Sequence, residues 1–379
     1  MEKPVKILIV LTDSDLGGAE KIVLSLARGL SRDPGRRFEV KVFALKRKAR
    51  TGLKLEAEKI PFSSFDLGEK PGLVYFLRAL GAIQAWRKIL QAESPDLVHG
   101  FLFQANLFAR LSKCFSTAKN ISSVRVIDDR RFLIVIDRLT SSLVDLHLAV
   151  SEEVKKWMAA EAGIPEAKIK VIKNGINLQD FPMIEKTQAR SRLGLLENEM
   201  VVLTAGRLER QKGLDLLIRA GADALKQEPN LKFLIVGDGS ARQSLVQLAK
   251  GLGVEQRFVF LEARPDISEL LAAADIFALP SRWEGMPNVI LEAMSMKVPI
   301  VATATGGVVE MVENEKEALL VPVENEAALS QGILRLAKDP GLAQKLATQA
   351  RARVEREFSE SAMIENYKEL YLKMARGKN

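Results

Sequence analysis

The chain carries a single cysteine, Cys114, in 379 residues, so no internal disulfide can form, and this agrees with a reducing compartment. Histidine is equally scarce. Only 2 are present, His99 and His147, far apart in the sequence, and no metal-binding cluster of the usual ligand spacing can be read around them. With 3 tryptophans and 3 tyrosines, the chain lacks the interleaved aromatics on which nucleic acids stack, and no nucleic-acid partner is expected. Long apolar runs are missing too. The stretch 132–150 leans furthest that way, but Asp137, Arg138, Asp145 and His147 interrupt it, which excludes a transmembrane helix. The opening residues MEKPVKILIV enter a short apolar run without a cleavage signature, so no signal peptide is expected. The expected location is therefore the cytoplasm, with peripheral attachment to the inner face of the membrane left open.

What is present describes a globular protein of 47% hydrophobic and 27% charged residues, longer than one core usually carries, so two domains are expected. The formal charge of +8 suits phosphorylated ligands or an anionic membrane surface. Basic residues gather at Lys46, Arg47, Lys48 and Arg50 and again at Arg125, Arg130, Arg131 and Arg138. A merely solvated basic face is the plain alternative, above all for the first group.

Apolar runs alternate with helical periodicity throughout, which is the pattern of parallel α/β sheets. In the first half, strands are expected at 6–11, 39–45, 60–65, 96–99, 120–126, 143–150 and 170–174. Helices are expected after Gly17–Gly18, at 73–91 and 107–111, and at 152–162, where Ser151 is the cap. Polarity rises over 184–199, a plausible linker, and the alternation then restarts at 201–205. Strands at 232–236, 258–261, 276–279, 298–302 and 318–321 follow, with helices at 214–225, 242–252, 267–273, 291–296, 327–353 and 362–374. The fold class is α/β, with two Rossmann-like domains facing a central cleft.

The stretch 280–293, PSRWEGMPNVILEA, organises the second half. It joins a strand to a helix at the strand's carboxyl end, where such sheets bind ligands. The loop offers Glu284, then Gly285, Met286, Pro287 and Asn288 at a helix start whose free N–H groups suit an anion, then Glu292 eight residues after Glu284. An ordinary helix start with acids favouring the dipole is an equal alternative on this stretch alone. Residues 206–213, GRLERQKG, follow the first strand of that half, and Arg207 and Lys212 there suit a diphosphate. Gly237 and Gly239 in VGDG, Arg264 in ARPD, and Thr305, Gly306 and Gly307 lie at further strand ends of the same edge. At the chain's start, Gly17 and Gly18 between a strand and a helix make a phosphate cradle, though without a GxGxxG or P-loop pattern.

These motifs (GGAE, VIKNGINLQDF at 171–181, GRLERQKG, VGDG, LPSRWEGMPNVILEAM and TATGG) occur in this order and cover nearly the whole chain. Together they resemble the family 4 retaining glycosyltransferases (glycosyl transferases group 1) of the two-domain GT-B fold. The resemblance implies an N-terminal acceptor-binding domain over 1–182 and a nucleotide-sugar-binding domain over 183–358. It further implies that a final helix, about 359–379, crosses back onto the first domain. It assigns Arg207 and Lys212 to the donor diphosphate, Glu292 to the ribose hydroxyls, and Glu284 with the amides of Gly285 to Asn288 to the donor sugar. Arg264 maps to the nucleobase rim, Gly237 belongs to the donor-binding set, and Gly17 and Gly18 map to the loop that meets the diphosphate. Glu284, His99, Arg207 and Lys212 form the implied catalytic set. His99 stands where the family shows further histidines at the places of Phe101 and Gln104, and a buried, satisfied histidine is its plain alternative; His147 reads as structural. Glu262 and Lys297 depart from the family's glycines.

The implied activity is retaining transfer from a nucleotide-diphosphate sugar to a glycan or lipid-linked acceptor, in cell-envelope polysaccharide or lipopolysaccharide synthesis. No metal or other cofactor is expected, since the DxD string of Asp13 and Asp15 precedes a glycine turn rather than a ligand set. A nucleotide-sugar 2-epimerase and a non-catalytic sugar-nucleotide-binding protein are the two rivals.

Overall fold

The computed structural model describes residues 3–13, 17–68, 73–127 and 130–377. The chain divides into two units, 1–175 together with 360–379, and 176–359.

The first unit is a seven-stranded parallel sheet of β1 (Val5–Leu11), β2 (Phe38–Ala44), β3 (Phe62–Ser64), β4 (Leu97–Phe101), β5 (Lys119–Val124), β6 (Leu146–Ala149) and β7 (Ile169–Val171). Its helices are α1 (Gly18–Ser31), α2 (Arg50–Ala57), α3 (Leu73–Glu93), α4 (Phe103–Arg110), α5 (Arg131–Thr140) and α6 (Glu152–Ala160). The strands run in the order β3-β2-β1-β4-β5-β6-β7, so the winding reverses between β1 and β4. β1 is apolar on both faces because helices cover both sides of a parallel sheet; only Lys6 is not buried. Ile22, Val23, Leu26, Ala27 and Leu30 form the stripe by which α1 packs on that core. Ser151 caps α6, its hydroxyl accepting from the Val154 amide at 3.2 Å.

The second unit repeats the plan with six strands: β8 (Met200–Ala205), β9 (Leu231–Val236), β10 (Phe258–Leu261), β11 (Ile276–Leu279), β12 (Ile300–Thr303) and β13 (Leu319–Val321). Their order is β10-β9-β8-β11-β12-β13, and the reversal falls between β8 and β11. The helices are α7 (Lys186–Arg192), α8 (Leu214–Ala224), α9 (Arg242–Gly251), α10 (Ile267–Ala273), α11 (Asn288–Ser295), α12 (Gly306–Val309), α13 (Glu326–Lys338) and α14 (Pro340–Glu357). The single helix expected over 327–353 is two. Asp339 leaves the helical conformation and caps α14 through the Leu342 amide at 2.9 Å, and Pro340 stands in the first turn, where its missing N–H costs nothing.

The last helix, α15 (Glu360–Arg376), belongs to the first unit, where Met363, Ile364, Tyr367, Leu370 and Tyr371 join its core. Gly29 admits it: a Cβ there would stand 2.6 Å from Ile364 Cγ2. The division between units falls at Gly175 and Ile176, earlier than the expected 182, because Ile176 pairs with Ser359 and donates to the Phe358 carbonyl at 2.8 Å. Four helices, α2, α5, α7 and α12, form where no helix was expected; α7 lies in the stretch expected as a linker. Among the described residues, no helix is long and apolar enough to cross a membrane.

Candidate functional site

In an open parallel sheet, the crevice forms where neighbouring strands send their connections to opposite faces. In the second unit that place lies between the carboxyl ends of β8 and β11, and both GRLERQKG and PSRWEG leave from it. They meet through charge. Lys212 Nζ lies 2.6 Å from Glu284 Oε1, and Ser281 Oγ donates to the same oxygen at 2.6 Å. Glu284 is only 5% exposed, so its contacts are made in a medium that screens weakly.

The two loops are also joined along their backbones. The Arg282 amide donates to the Gln211 carbonyl at 2.8 Å, and Gln211 Nε2 donates to the Trp283 carbonyl at 2.9 Å. Arg282 grips Asp215 with a two-pronged fork, 2.8 Å on each arm, and reaches Glu324. That fork holds the Asp215 carboxyl below its ordinary range and raises Arg282. Thr303 on β12 donates to the Ser281 carbonyl at 2.5 Å.

Close backbone approach explains the glycines. Gly213, left-handed at φ 59, would set a Cβ 2.1 Å from the Pro280 carbonyl oxygen. A Cβ on Gly307 would stand 1.9 Å from the Gly285 carbonyl oxygen, and one on Gly237 (φ 143) 1.9 Å from that of Gly206. Gly285 itself is not among the residues of positive φ. Pro287 stands at the cap rather than inside α11, whose first residue is Asn288.

The remaining expected residues distribute as follows. Arg207 is exposed beside a recess that it lines with Gly206, Lys212 and Leu279. Met286 is buried on the same loop, and Glu292 is buried on α11. The loop with Gly237 is tied to GRLERQKG by the Leu208 amide on the Asp238 carbonyl at 2.8 Å, and Asp238 Oδ2 accepts from the Ala263 amide at 3.1 Å. Arg264 is exposed, and its guanidinium is forked onto Asp266 with Nε–Oδ1 at 2.7 Å. Ser281, Gln211 and the Arg282–Asp215 fork were missed. Ser281 and Gln211 lie inside the quoted motifs, but neither spacing nor residue type marks them as partners across loops.

Gly17 and Gly18 lie in the first unit, at the start of α1, with Gly17 as the cap. Ser14, Asp15 and Leu16 lie outside the described residues, so only Asp13 of the DxD string is described; it pairs with Lys46 at 3.1 Å. Among the described residues, no group of three or more potential ligands stands together to hold a metal ion.

His99 requires a correction. It lies in the middle of the first sheet opposite Ile9, with no exposed surface. Its Nδ1 pairs with Tyr371 Oη at 2.7 Å and its Nε2 with Ser123 Oγ at 2.7 Å. Burial, with the Arg125 charge second, holds it well below the ordinary histidine range. With both nitrogens engaged and no open face, His99 fixes α15 to β4 and β5 and does not present itself to a substrate. His147 is fully buried, as expected.

Two family models match the chain. "Glycosyltransferase Family 4" covers residues 16–180, and "Glycosyl transferases group 1" covers residues 185–353. Among curated relatives, an uncharacterized glycosyltransferase of Methanocaldococcus jannaschii, MJ1607, is 31% identical over 61% of this chain and 61% of its own length, less than two thirds of that protein. The UDP-Gal:alpha-D-GlcNAc-diphosphoundecaprenol alpha-1,3-galactosyltransferase of Escherichia coli is 28% identical over 76% of this chain and 78% of its own. Among solved structures, Anabaena Alr3699/HepE in complex with UDP and glucose superposes with a TM-score of 0.83 at 24% identity, covering 97% of this chain and 99% of that one; at this identity it shows the fold. With one model on each Rossmann-like half and GT-B structures as neighbours, the chain belongs to the group 1 glycosyltransferases.

Proposed function

We propose that this protein transfers a sugar from a nucleotide-diphosphate sugar, with retention of anomeric configuration and without a metal ion, to a hydroxyl of a glycan or lipid-linked acceptor. The observation that carries the reading is the Lys212–Glu284 pair at the β8/β11 reversal, an ammonium and a carboxylate held from two loops beside the start of α11. An ammonium and an arginine at that edge suit the leaving diphosphate, while a buried carboxylate suits a sugar hydroxyl. Breaking the bond from the anomeric carbon to the phosphate oxygen leaves its electron pair on the diphosphate. Lys212, Arg207 and the amides at the head of α11 stabilise that charge. The acceptor oxygen bonds to the anomeric carbon from the same face, and its proton passes to a donor phosphate oxygen.

Glu292 takes the ribose hydroxyls in this reading, and Arg264 the base rim. UDP is the first nucleotide to try, because the Escherichia coli relative is named for a UDP-sugar donor and an undecaprenyl-diphosphate acceptor. Such an acceptor places the work at the inner face of the membrane, in envelope glycan assembly.

The test is a thermal-shift panel of UDP, GDP, ADP and their common sugars on the wild type and on Glu292→Ala. One nucleotide is expected to raise Tm in the wild type and less in the variant. A panel that shifts neither protein overturns the donor site. An inverted anomer in the product overturns retention, and donor consumed with no acceptor present points to an epimerase.

A further inference from the structure

Arg282 has an acceptor for every donor it carries. Nε and Nη2 fork onto Glu324 at 2.5 and 3.3 Å, Nη1 and Nη2 onto Asp215 at 2.8 Å each, and Nη1 also donates to the Arg210 carbonyl at 2.9 Å. A guanidinium holds its five N–H groups in one rigid plane, and here all five are engaged. The acceptors come from three segments: the 206–213 loop, the first turn of α8, and the loop between β13 and α13. The Arg282 side chain is only 12% exposed, so these charge-assisted bonds are weakly screened. Glu324 stands at φ 59, a left-handed backbone that a residue other than glycine keeps only where its surroundings over-determine it. What this clamp holds is the Lys212–Glu284 contact. Arg282 stands one residue after Ser281, whose hydroxyl donates to Glu284, and two before Glu284 itself. On the facing loop its amide and guanidinium take the carbonyls of Gln211 and Arg210, the two residues that precede Lys212. One arginine thus fixes the backbone immediately before both charged groups of the site.

We propose that Arg282 is a positioning residue: clamped on Asp215 and Glu324, it sets the register in which Lys212 and Glu284 meet the donor, while touching no substrate itself. The assignment rests on the sugar-transfer reading. A lysine cannot take its place, because three donors spread from one nitrogen do not form two planar forks on carboxylates of different segments. A clamp that served the fold alone would leave the chemistry untouched, but this one ends beside the two groups that act on the donor. A displacement of about 1 Å at the reacting end lowers turnover about a hundredfold. The parts of the donor assigned to Arg207 and Glu292 stay held, so the loss falls on kcat rather than on KM.

The experiment compares Arg282→Lys, Asp215→Asn and Glu324→Gln with the wild type and with Arg335→Lys, which removes another arginine fork of the second unit, onto Glu315. Initial rates of nucleotide release give kcat and donor KM, and urea midpoints report the fold. A second reading needs no turnover: acetic anhydride labels Lys212 at a rate, followed by peptide mass spectrometry, that rises once Glu284 lets it go. Arg282→Lys is expected to lower kcat about ten- to a hundredfold with donor KM near the wild-type value. It should also label Lys212 at least about threefold faster, because the contact opens more often. Asp215→Asn follows with the same signature, and Glu324→Gln, which alters the more exposed of the two carboxylates, shows the smallest loss. Arg335→Lys is expected to match the wild type throughout. Wild-type kcat and labelling in Arg282→Lys overturn the proposal. So does a loss that Arg335→Lys reproduces, or one that comes only with a collapsed urea midpoint. A wild type that turns over no donor of the panel overturns the transfer reading instead, and the labelling rates then decide the clamp by themselves.

Discussion

The two units share one winding. Each reverses its strand order beside its first strand, between β1 and β4 in one and between β8 and β11 in the other, yet the two places are filled differently. In the second unit, Lys212 from one loop and Glu284 and Ser281 from another converge there, with glycines where backbones nearly touch. In the first, β4 next to the reversal carries His99 sealed between Tyr371 and Ser123, and Phe101, its ring centroid 4.2 Å from that of His99, is also buried. Topology supplies a place for a ligand in any such sheet, and side chains decide whether it is a site or a core. The first unit is polar inside where the second is polar at its edge.

The sharpest way to break this contrast is Lys212→Ala. Removing a group that stabilises leaving-group charge is expected to lower kcat/KM by about a hundred- to a thousandfold, measured as nucleotide released with the donor that the thermal-shift panel names. Unchanged turnover would place the chemistry elsewhere. Gly307→Ala comes next. Its Cβ would fall 1.9 Å from the Gly285 carbonyl oxygen, so the Glu284 loop must move. Nucleotide affinity is expected to drop at least about tenfold, with about 1–3 kcal/mol of overpacking cost seen in urea unfolding.

Tyr371→Phe tests the other side of the comparison. It leaves His99 Nδ1 buried without its 2.7 Å partner, which is expected to cost the first unit about 1–3 kcal/mol. Nucleotide affinity should not change. If it fell as it does for Gly307→Ala, His99 would have to be returned to the site.

Acid should also separate the units, since both histidines lie in the first. Burial lowers His147 from 6.5 to about 3, with the Arg110 charge second, and it holds His99 down as well. Between those values the unfolded chain binds a proton that the folded one refuses, so stability is full above 6.5 and is lost as pH falls toward 3. The slope is at most about 1.4 kcal/mol per pH unit for each histidine. Tryptophan fluorescence in a Trp283→Phe background leaves Trp86 and Trp157, both in the first unit, as reporters. A urea midpoint unchanged between pH 7 and 5 would show that the buried imidazoles do not matter. The smallest effect belongs to Lys297→Gly. Lys297 follows the C-terminal cap of α11, Met296, at φ 54, a conformation that glycine takes freely, so the change should stabilise the second unit by about 1 kcal/mol.

Much of the second unit was legible because its loops are written in residues with sharp local meaning. Glycines that admit close backbone approach, a lysine and an arginine behind a strand, and a carboxylate in a loop are visible as letters. The reach of Arg282 to Asp215 was not, because the fork joins positions 67 apart. In the first unit, α5 was read as part of an apolar stretch. Its inward partner Asp137 meets Arg110 only in three dimensions, and a buried ion pair inverts the rule that apolar faces turn in.

The sequence alone determined the alternation of strands and helices, and with it the paired parallel sheets, because helical and strand periodicities are local and repeat over many residues. It also determined that the residues of one carboxyl edge would be charged and glycine-rich. Tertiary structure decided three things: that Lys212 and Glu284 share one contact, that His99 is closed inside a sheet by a tyrosine 272 positions away, and that α5 shows its apolar side to solvent. Each is a pairing between distant positions, and a chain's pattern carries no record of which distant groups come within bonding distance until packing brings them there.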